Sequence, residues 1–188
     1  WFMRTVPVLL PRLPRFALVI GLAVACGLTL AYLRPPPVDV APLEWLDQPR
    51  AVADFTLTSN HGEFTAVSLR GHWQLLVLGF THCPDLCPLT LAQLAQLRAA
   101  WPGDSLRIIF VSVDPRRDTP QQLAEYVHFF GKDFIGMTGA STELHHLAQS
   151  LGMDFRSDGP ANQPTISHSP TIAIIGPDGF LQGHLRPG

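Results

Sequence analysis

Apolar residues fall into runs whose spacing changes along this chain. The run 75–80 is continuously apolar or small, and 106–113 is mostly apolar, which is typical of strands buried on both faces of a sheet. Elsewhere apolar residues recur every three or four positions, which predicts helices over about 88–101 and 142–151. A third helix is predicted to begin after Thr119, because this threonine is followed by proline and then by glutamine three positions on. The chain therefore alternates strands and helices.

Shorter apolar segments are separated by turn-forming residues. The segments 55–57 and 64–67 flank Ser-Asn-His-Gly-Glu, and 171–175 and 180–185 flank Gly-Pro-Asp-Gly, so each pair predicts a hairpin. A short strand is expected over 134–137. A hairpin, βαβ units and a closing hairpin predict an α/β sandwich in the order of a thioredoxin-like fold with an N-terminal β-hairpin extension.

The N-terminal segment predicts a single transmembrane helix. Residues 16–33 carry no charge and number about 18, which is near the minimum needed to cross a bilayer core. Arg4, Arg12 and Arg15 precede the run, and the positive-inside rule then keeps the N-terminus cytoplasmic. We therefore expect a membrane anchor over 1–34 that holds the C-terminal domain in the periplasm at the inner membrane.

Two alternatives to an uncleaved anchor stay open, namely a cleaved signal peptide and lipidation at Cys26. The prolines that follow Arg34 end the predicted helix. Residues 35–50 are rich in proline and predict a linker, and the folded domain is expected over 51–188.

The distribution of charge excludes one class of partner. Residues 1–34 contain four of the 13 basic residues and no acidic residue. Residues 35–188 therefore contain the remaining nine basic residues and all 15 acidic residues. Nucleic acid is not an expected partner, because phosphate binding requires a basic face.

Two of the three cysteines lie together at a predicted strand-to-helix corner. Cys83 and Cys87 are four positions apart in the run Gly-Phe-Thr-His-Cys-Pro-Asp-Leu-Cys-Pro. The N-terminus of a helix favours thiolate over thiol, and thiolate binds soft metals and attacks disulfides. The pair is therefore predicted to be redox-active or to bind a metal, while a structural disulfide and two buried structural cysteines remain as alternatives.

A third ligand is predicted at His168, which precedes the last apolar hairpin. In a thioredoxin-like sheet the loop that enters this strand faces the corner carrying Cys83 and Cys87. Two thiolates and one imidazole suit copper, because sulfur selects Cu(I) and nitrogen helps to accommodate Cu(II). Alternatively, His168 is a surface residue or a buried histidine whose ring nitrogens are hydrogen-bonded within the core.

Asp114 is a candidate supporting residue. It follows the strand 106–113, at the end where parallel sheets place functional groups, so it could orient a ligand or bind a partner. Alternatively, Asp114 and Asp118 only organise a turn and a helix cap. His82, next to Cys83, is predicted to point away from the site.

These motifs closely resemble the Sco/SenC family of membrane-anchored, thioredoxin-like copper proteins. The resemblance is carried by Gly-Phe-Thr-His-Cys-Pro-Asp-Leu-Cys-Pro, by Ser-Val-Asp-Pro-Arg-Arg-Asp-Thr-Pro and by His-Ser before a late strand, and runs from about Val52 to the C-terminus. It implies that Cys83, Cys87 and His168 bind one copper ion per chain, and that Asp114 matches an aspartate linked to copper handling. It also implies a metallochaperone that assists assembly of the copper A centre in cytochrome c oxidase subunit II, served by a periplasmic copper donor or a thiol reductant.

Two features depart from the family. Many members carry an acidic residue where this chain has Ser167, and a helix usually follows the last hairpin, where this sequence reaches Gly188. An acidic residue there would help to orient the imidazole.

A thiol–disulfide reductase and a peroxidase are the alternatives to a metallochaperone. A thiol–disulfide reductase would use Cys83 or Cys87 to keep the copper-site cysteines of its client, the oxidase subunit, reduced. This reduction would be the only enzymatic activity expected of the cysteine pair. Such a reductase does not need His168, whereas a copper site does. A peroxidase of the wider superfamily is disfavoured, because the threonine or serine that it places three residues before the reactive cysteine is replaced here by Phe80 or Pro84.

Overall fold

A computed structural model describes residues 15–33, 43–159 and 164–186. The chain divides into two compact units, 1–39 and 40–188, each of which is described by itself. In the first unit, helix α1 spans Arg15–Leu33. Arg4, Arg12 and the first part of the predicted linker lie outside the described residues.

The predicted membrane span over residues 16–33 is not confirmed. The helix predicted there is present as α1, yet within the described part of the chain no helix is both long and apolar enough to cross a membrane.

The second unit is built on an eight-stranded mixed sheet. The strands follow the order β1-β10-β9-β4-β5-β6-β2-β3, in which β4, β5 and β6 are parallel and all other neighbours are antiparallel. A separate two-stranded sheet pairs β7 with β8. The strand bounds are β1 Leu43–Ala51, β2 Thr56–Ser59, β3 Gly62–Thr65, β4 Trp73–Gly79, β5 Leu106–Ser112, β6 Ile135–Thr138, β7 Phe155–Asp158, β8 Thr165–His168, β9 Ile172–Ile175 and β10 Phe180–Leu185.

Three helices cover the two faces of this sheet. Helix α2 spans Leu86–Ala100, α3 spans Pro120–Phe130 and α4 spans Ser141–Ser150. The central strands are buried on both faces, so alternate side chains enter two separate apolar clusters. Leu75 and Val77 of β4 pack with α2 and α3, whereas Leu76 and Leu78 pack with α4.

The elements predicted from apolar spacing are confirmed to within about two residues at most ends. Helix α3 begins as predicted, because the Thr119 side chain accepts a hydrogen bond from the Gln122 amide and the Gln122 side chain accepts one from the Thr119 amide. The predicted N-terminal hairpin, β2–β3, extends the sheet by pairing antiparallel with β6.

Residues 43–50, predicted as the end of a linker, instead form most of edge strand β1. This strand pairs with β10, and its register shifts between Trp45 and Arg50, around Pro49. Proline cannot donate to a ladder and is tolerated on an edge strand or at a bulge. Most of β1 is exposed, so its sequence lacks the apolar alternation that marks a buried strand.

Candidate metal centre

The two cysteines lie where β4 turns into α2. Strand β4 ends at Gly79, and the Cys83 amide donates to the Phe80 carbonyl at 3.1 Å, which closes the turn. Asp85 is the N-cap of α2, so Cys87 is in the first helical turn. The strand-to-helix corner predicted from the sequence is therefore confirmed, with the helix beginning two residues before the predicted start.

Burial determines the protonation of Cys87. This side chain is 1% exposed, whereas Cys83 is half-buried. Burial, followed by a hydrogen bond with Cys83, raises the pKa of Cys87 to about 12. The expectation that the helix N-terminus favours thiolate is wrong for Cys87, because desolvation of the charged sulfur outweighs the helix dipole. Without metal, Cys87 is a thiol at neutral pH.

His168 reaches the corner from the β7–β8 hairpin, which the sequence analysis did not predict. It is the last residue of β8, opposite Phe155 in β7. Its Nε2 lies 3.6 Å from the Cys87 sulfur, and the Phe80 ring packs edge-on against the imidazole at 6.1 Å between centroids. The predicted proximity of His168 to the cysteines is therefore present in the fold.

A backbone carbonyl sets the tautomer of His168. The Ser169 carbonyl lies 3.0 Å from Nδ1 and can only accept, so Nδ1 carries the proton and Nε2 keeps its lone pair. Burial lowers the pKa of His168, and the Ser169 carbonyl opposes this effect only in part. The neutral imidazole thus presents Nε2 as a ligand. The Ser169 carbonyl orients the ring, which is the task that the family resemblance assigns to an acidic residue at the position of Ser167.

Two hydrogen bonds hold Ser169 against Asp154. The Asp154 amide donates to the Ser169 hydroxyl at 2.9 Å, and the Ser169 amide donates to the Asp154 carbonyl at 2.9 Å. These bonds fix the backbone that orients His168 and tie the start of β7 to the end of β8.

The ligand atoms of Cys83, Cys87 and His168 lie within 4.8 Å of one another. Among the described residues, no other group of three or more histidine, cysteine, aspartate or glutamate side chains converges in this way. A donor set of two sulfurs and one imidazole nitrogen suits copper or zinc rather than hard cations such as Mg²⁺.

Asp118, not Asp114, connects directly to the turn that carries the cysteines. Its carboxylate is fully buried and accepts hydrogen bonds from the Thr81 amide at 2.9 Å and from the Ser112 hydroxyl at 2.5 Å. The Thr81 hydroxyl donates to its other oxygen at 2.5 Å. These bonds join the end of β5 to the residues just before Cys83, and the sequence analysis assigned Asp118 only a turn or cap role.

Asp114 is also buried, but its polar contacts with other described residues lie within the 112–118 turn. Its carboxylate pairs with the Arg117 guanidinium, and its amide donates to the Ser112 hydroxyl at 3.2 Å. It is not part of the three-residue group. His82 Nδ1 lies 3.0 Å from the Thr81 hydroxyl oxygen, and His82 is likewise outside the group, as predicted.

Gly79 provides the space in which the Cys87 sulfur sits. A Cβ at this position would lie 2.5 Å from Phe110 Cε2 and 2.9 Å from the Cys87 sulfur. Both distances are well inside van der Waals contact, so any larger residue would displace the ring or the sulfur.

The fold and the site together define a class: a thioredoxin-like α/β domain with two cysteines and one histidine converging at a strand-to-helix corner. The SCO1/SenC family model matches residues 45–188. The chain therefore belongs to the SCO1/SenC family.

Individual relatives agree with this assignment. A Stutzerimonas stutzeri protein named for copper binding is 38% identical over 174 residues, covering 88% of this chain and 84% of that protein. The mitochondrial SCO2 homolog of Danio rerio is 36% identical over 154 residues, covering 74% of this chain and 54% of its own length. The chain thus spans about half the length of such mitochondrial relatives.

Solved structures show the same fold. Apo Sco1 from Thermus thermophilus is 31% identical with a TM-score of 0.67, and the match covers 76% of this chain and 85% of that one. Arabidopsis thaliana ScoI, solved with copper bound, is 32% identical with a TM-score of 0.63, and the match covers 71% and 86%. BsSco, described as a member of the Sco family of cytochrome c oxidase assembly proteins, is 22% identical with a TM-score of 0.56 over 75% and 86%, and supports the fold alone.

Proposed function

We propose that this protein is a copper metallochaperone that binds one copper ion through Cys83, Cys87 and His168. The observation that carries the proposal is the convergence of their ligand atoms within 4.8 Å. Thiolate sulfur stabilises Cu(I), and imidazole nitrogen allows Cu(II) to be held as well. The copper-bound ScoI relative supports the choice of copper over zinc.

Metal binding displaces a proton from the site. The Cys87 sulfur lies 3.6 Å from His168 Nε2, and the raised pKa of Cys87 keeps its proton on the sulfur at neutral pH. A copper ion bound by both atoms would replace the thiol hydrogen of Cys87, so its affinity would depend on pH. Because Nε2 is already deprotonated and oriented, the imidazole needs no rearrangement of its proton before binding.

His168 is the ligand through which exchange with a client is expected to begin. It lines an open cavity of about 350 Å³ together with Asp154, Phe155, Arg156, Ser167 and Ser169. Cys87 is closed to solvent, so an incoming ligand can approach copper from the cavity but not from behind that sulfur. Stepwise replacement, with His168 leaving first, would pass the ion on without releasing it to water.

The client in this proposal is cytochrome c oxidase subunit II, whose copper A centre would receive the ion. This part rests on the resemblance of the cysteine, aspartate and histidine motifs to the Sco/SenC family. A periplasmic copper donor would load the site. The periplasmic location is also part of the proposal, supported by the arginines that precede the apolar run at residues 16–33.

A copper titration of the full chain under reducing conditions tests the ligand set. We expect one Cu(I) per wild-type chain and, for His168→Ala, an affinity at least about tenfold lower, because a ligand is lost. His82→Ala is the matched control: this histidine adjoins Cys83 but lies outside the converging group. Equal affinity in wild type and His168→Ala would remove His168 from the copper site.

A thiol–disulfide reductase is the second candidate, favoured by the unequal exposure of the two sulfurs. Half-buried Cys83 would attack a client disulfide and form a mixed disulfide, releasing one client thiol. Buried Cys87 would then attack Cys83, releasing the second client thiol and leaving a Cys83–Cys87 disulfide. Two electrons pass to the client, and a periplasmic thiol reductant would restore the pair.

The two candidates are separated by His168. Reduction of a model disulfide by His168→Ala at the wild-type rate, together with loss of copper binding, would show that the two activities can be separated. If wild type binds no copper yet reduces the disulfide, the chaperone proposal fails and the reductase remains.

A further inference from the structure

The carboxylate of Asp118 holds Thr81 by two separate hydrogen bonds. One oxygen accepts from the Thr81 amide at 2.9 Å, and the other accepts from the Thr81 hydroxyl at 2.5 Å. The carboxylate is fully buried, so water does not compete for these donors. Because one bond fixes the backbone and the other fixes the side chain, Thr81 is held in both position and orientation.

Thr81 lies within the turn that carries Cys83. We call residues 80–83 the cysteine turn: the Cys83 amide donates to the Phe80 carbonyl at 3.1 Å, and Thr81 and His82 are the two residues between them. The backbone angles of the two central residues set the shape of such a turn. Fixing Thr81 therefore fixes the direction in which the turn presents Cys83.

The two cysteines differ in what supports them. Cys87 is buried in the first turn of α2, whereas Cys83 is half-buried and lies in the cysteine turn, outside both β4 and α2. The Asp118 carboxylate joins this turn to the central sheet, because it also accepts from the Ser112 hydroxyl at the end of β5, at 2.5 Å. A functional side chain has to be held to within about 0.5 Å, so one that lies on a turn needs support from a rigid element.

We propose that Asp118 is a positioning residue of the metal centre, which holds the cysteine turn closed so that the Cys83 sulfur stays within reach of Cys87 and His168. It acts through Thr81 and does not touch the metal. Without this support the Cys83 amide opens more often and the sulfur occupies a wider range of positions. The inference goes beyond the three ligands, and its consequence for copper affinity rests on the proposed function.

Hydrogen exchange at the Cys83 amide tests the turn without any metal. In a full chain labelled with ¹⁵N-cysteine only three amides give signals, and the Cys83 amide reports directly on the bond to Phe80. We expect its exchange to be about tenfold faster in Asp118→Asn, because the amide group cannot replace both accepting oxygens. Thr81→Val, which removes the hydroxyl and keeps the branched shape and the backbone bond, should have a smaller effect in the same direction.

Ser112→Ala is the matched control. It removes a donor from the same carboxylate and lowers stability in urea denaturation, yet both bonds to Thr81 remain. We expect Cys83 exchange at the wild-type rate in this variant. Thr81→Val should also add little to Asp118→Asn in the double variant, because the two substitutions break the same link.

Copper titrations connect the turn to the metal centre. In Cu(I) competition, the affinity should fall about tenfold in Asp118→Asn, less in Thr81→Val, and stay at the wild-type value in Ser112→Ala. Wild-type exchange at Cys83 in both Asp118→Asn and Thr81→Val would overturn the inference, and so would equal effects in Ser112→Ala. If wild type binds no copper but the exchange pattern holds, the proposed function fails, whereas the placement of Cys83 by Asp118 is supported.

Discussion

Gly79→Ala should disrupt the metal centre through one methyl group. The new Cβ would lie 2.5 Å from Phe110 Cε2 and 2.9 Å from the Cys87 sulfur. Because an unstrained contact needs roughly 3.5–4 Å, the ring and the sulfur must each move by about 1 Å. Forced overpacking of this kind costs about 1–3 kcal/mol in the free energy of unfolding.

The same displacement should weaken copper binding. A functional constellation tolerates shifts of about 0.5 Å, so a sulfur displaced by about 1 Å is no longer placed to share one ion with Cys83 and His168. We expect the Cu(I) affinity of the full chain to fall about tenfold or more, measured by competition with a chromophoric chelator. Urea denaturation of the metal-free protein measures the stability change separately.

Gly131→Ala offers a matched control at a glycine remote from the cysteines in sequence. Its Cβ would lie 2.5 Å from two atoms of the Phe134 ring, with no sulfur among its near neighbours. The two variants should lose similar stability, while only Gly79→Ala should lose copper affinity. Wild-type affinity in Gly79→Ala, or equal loss in both variants, would refute the argument that Gly79 makes room for the ligand sulfur.

Three further predictions follow from single contacts. Asp118→Asn should lower the free energy of unfolding by about 2 kcal/mol in urea denaturation, because the Thr81 and Ser112 donors lose a carboxylate; unchanged stability would contradict the role given to that carboxylate. Thr119→Ala should cost about 1 kcal/mol by the same assay through loss of the α3 cap, with copper affinity unchanged. Apparent Cu(I) affinity should rise by at least about tenfold per unit between about pH 7 and pH 9, because the raised pKa of Cys87 means that copper must displace at least this proton; a flat profile in competition titrations would show that no proton is displaced.

Local spacing made most of the fold predictable. Each of the elements β4, β5 and α2 to α4 buries one or two defined faces. Apolar residues therefore recur in the sequence with the period of the strand or helix. Strand β1 escaped prediction because it lies exposed on an edge, where pairing with β10 rather than apolar burial holds it. The β7–β8 hairpin escaped for a similar reason, since most of its residues are not buried.

The three residues proposed as ligands could be selected from the sequence, whereas their environment could not. Cys83, Cys87 and His168 were identified from motif, spacing and residue type. The protonation of Cys87 depends on how deeply the whole cluster buries it, and no local pattern reports that depth. The roles of Asp118 and of the Ser169 carbonyl depend on which segments the fold brings together, so they emerge only from the structure.

X-ray absorption at the copper edge of the loaded full chain tests the central claim most directly. One copper bound by Cys83, Cys87 and His168 predicts a shell of two sulfurs and one imidazole nitrogen, with the nitrogen lost in His168→Ala and retained in His82→Ala. A shell without sulfur, or one that His168→Ala leaves unchanged, would contradict the three-ligand copper site.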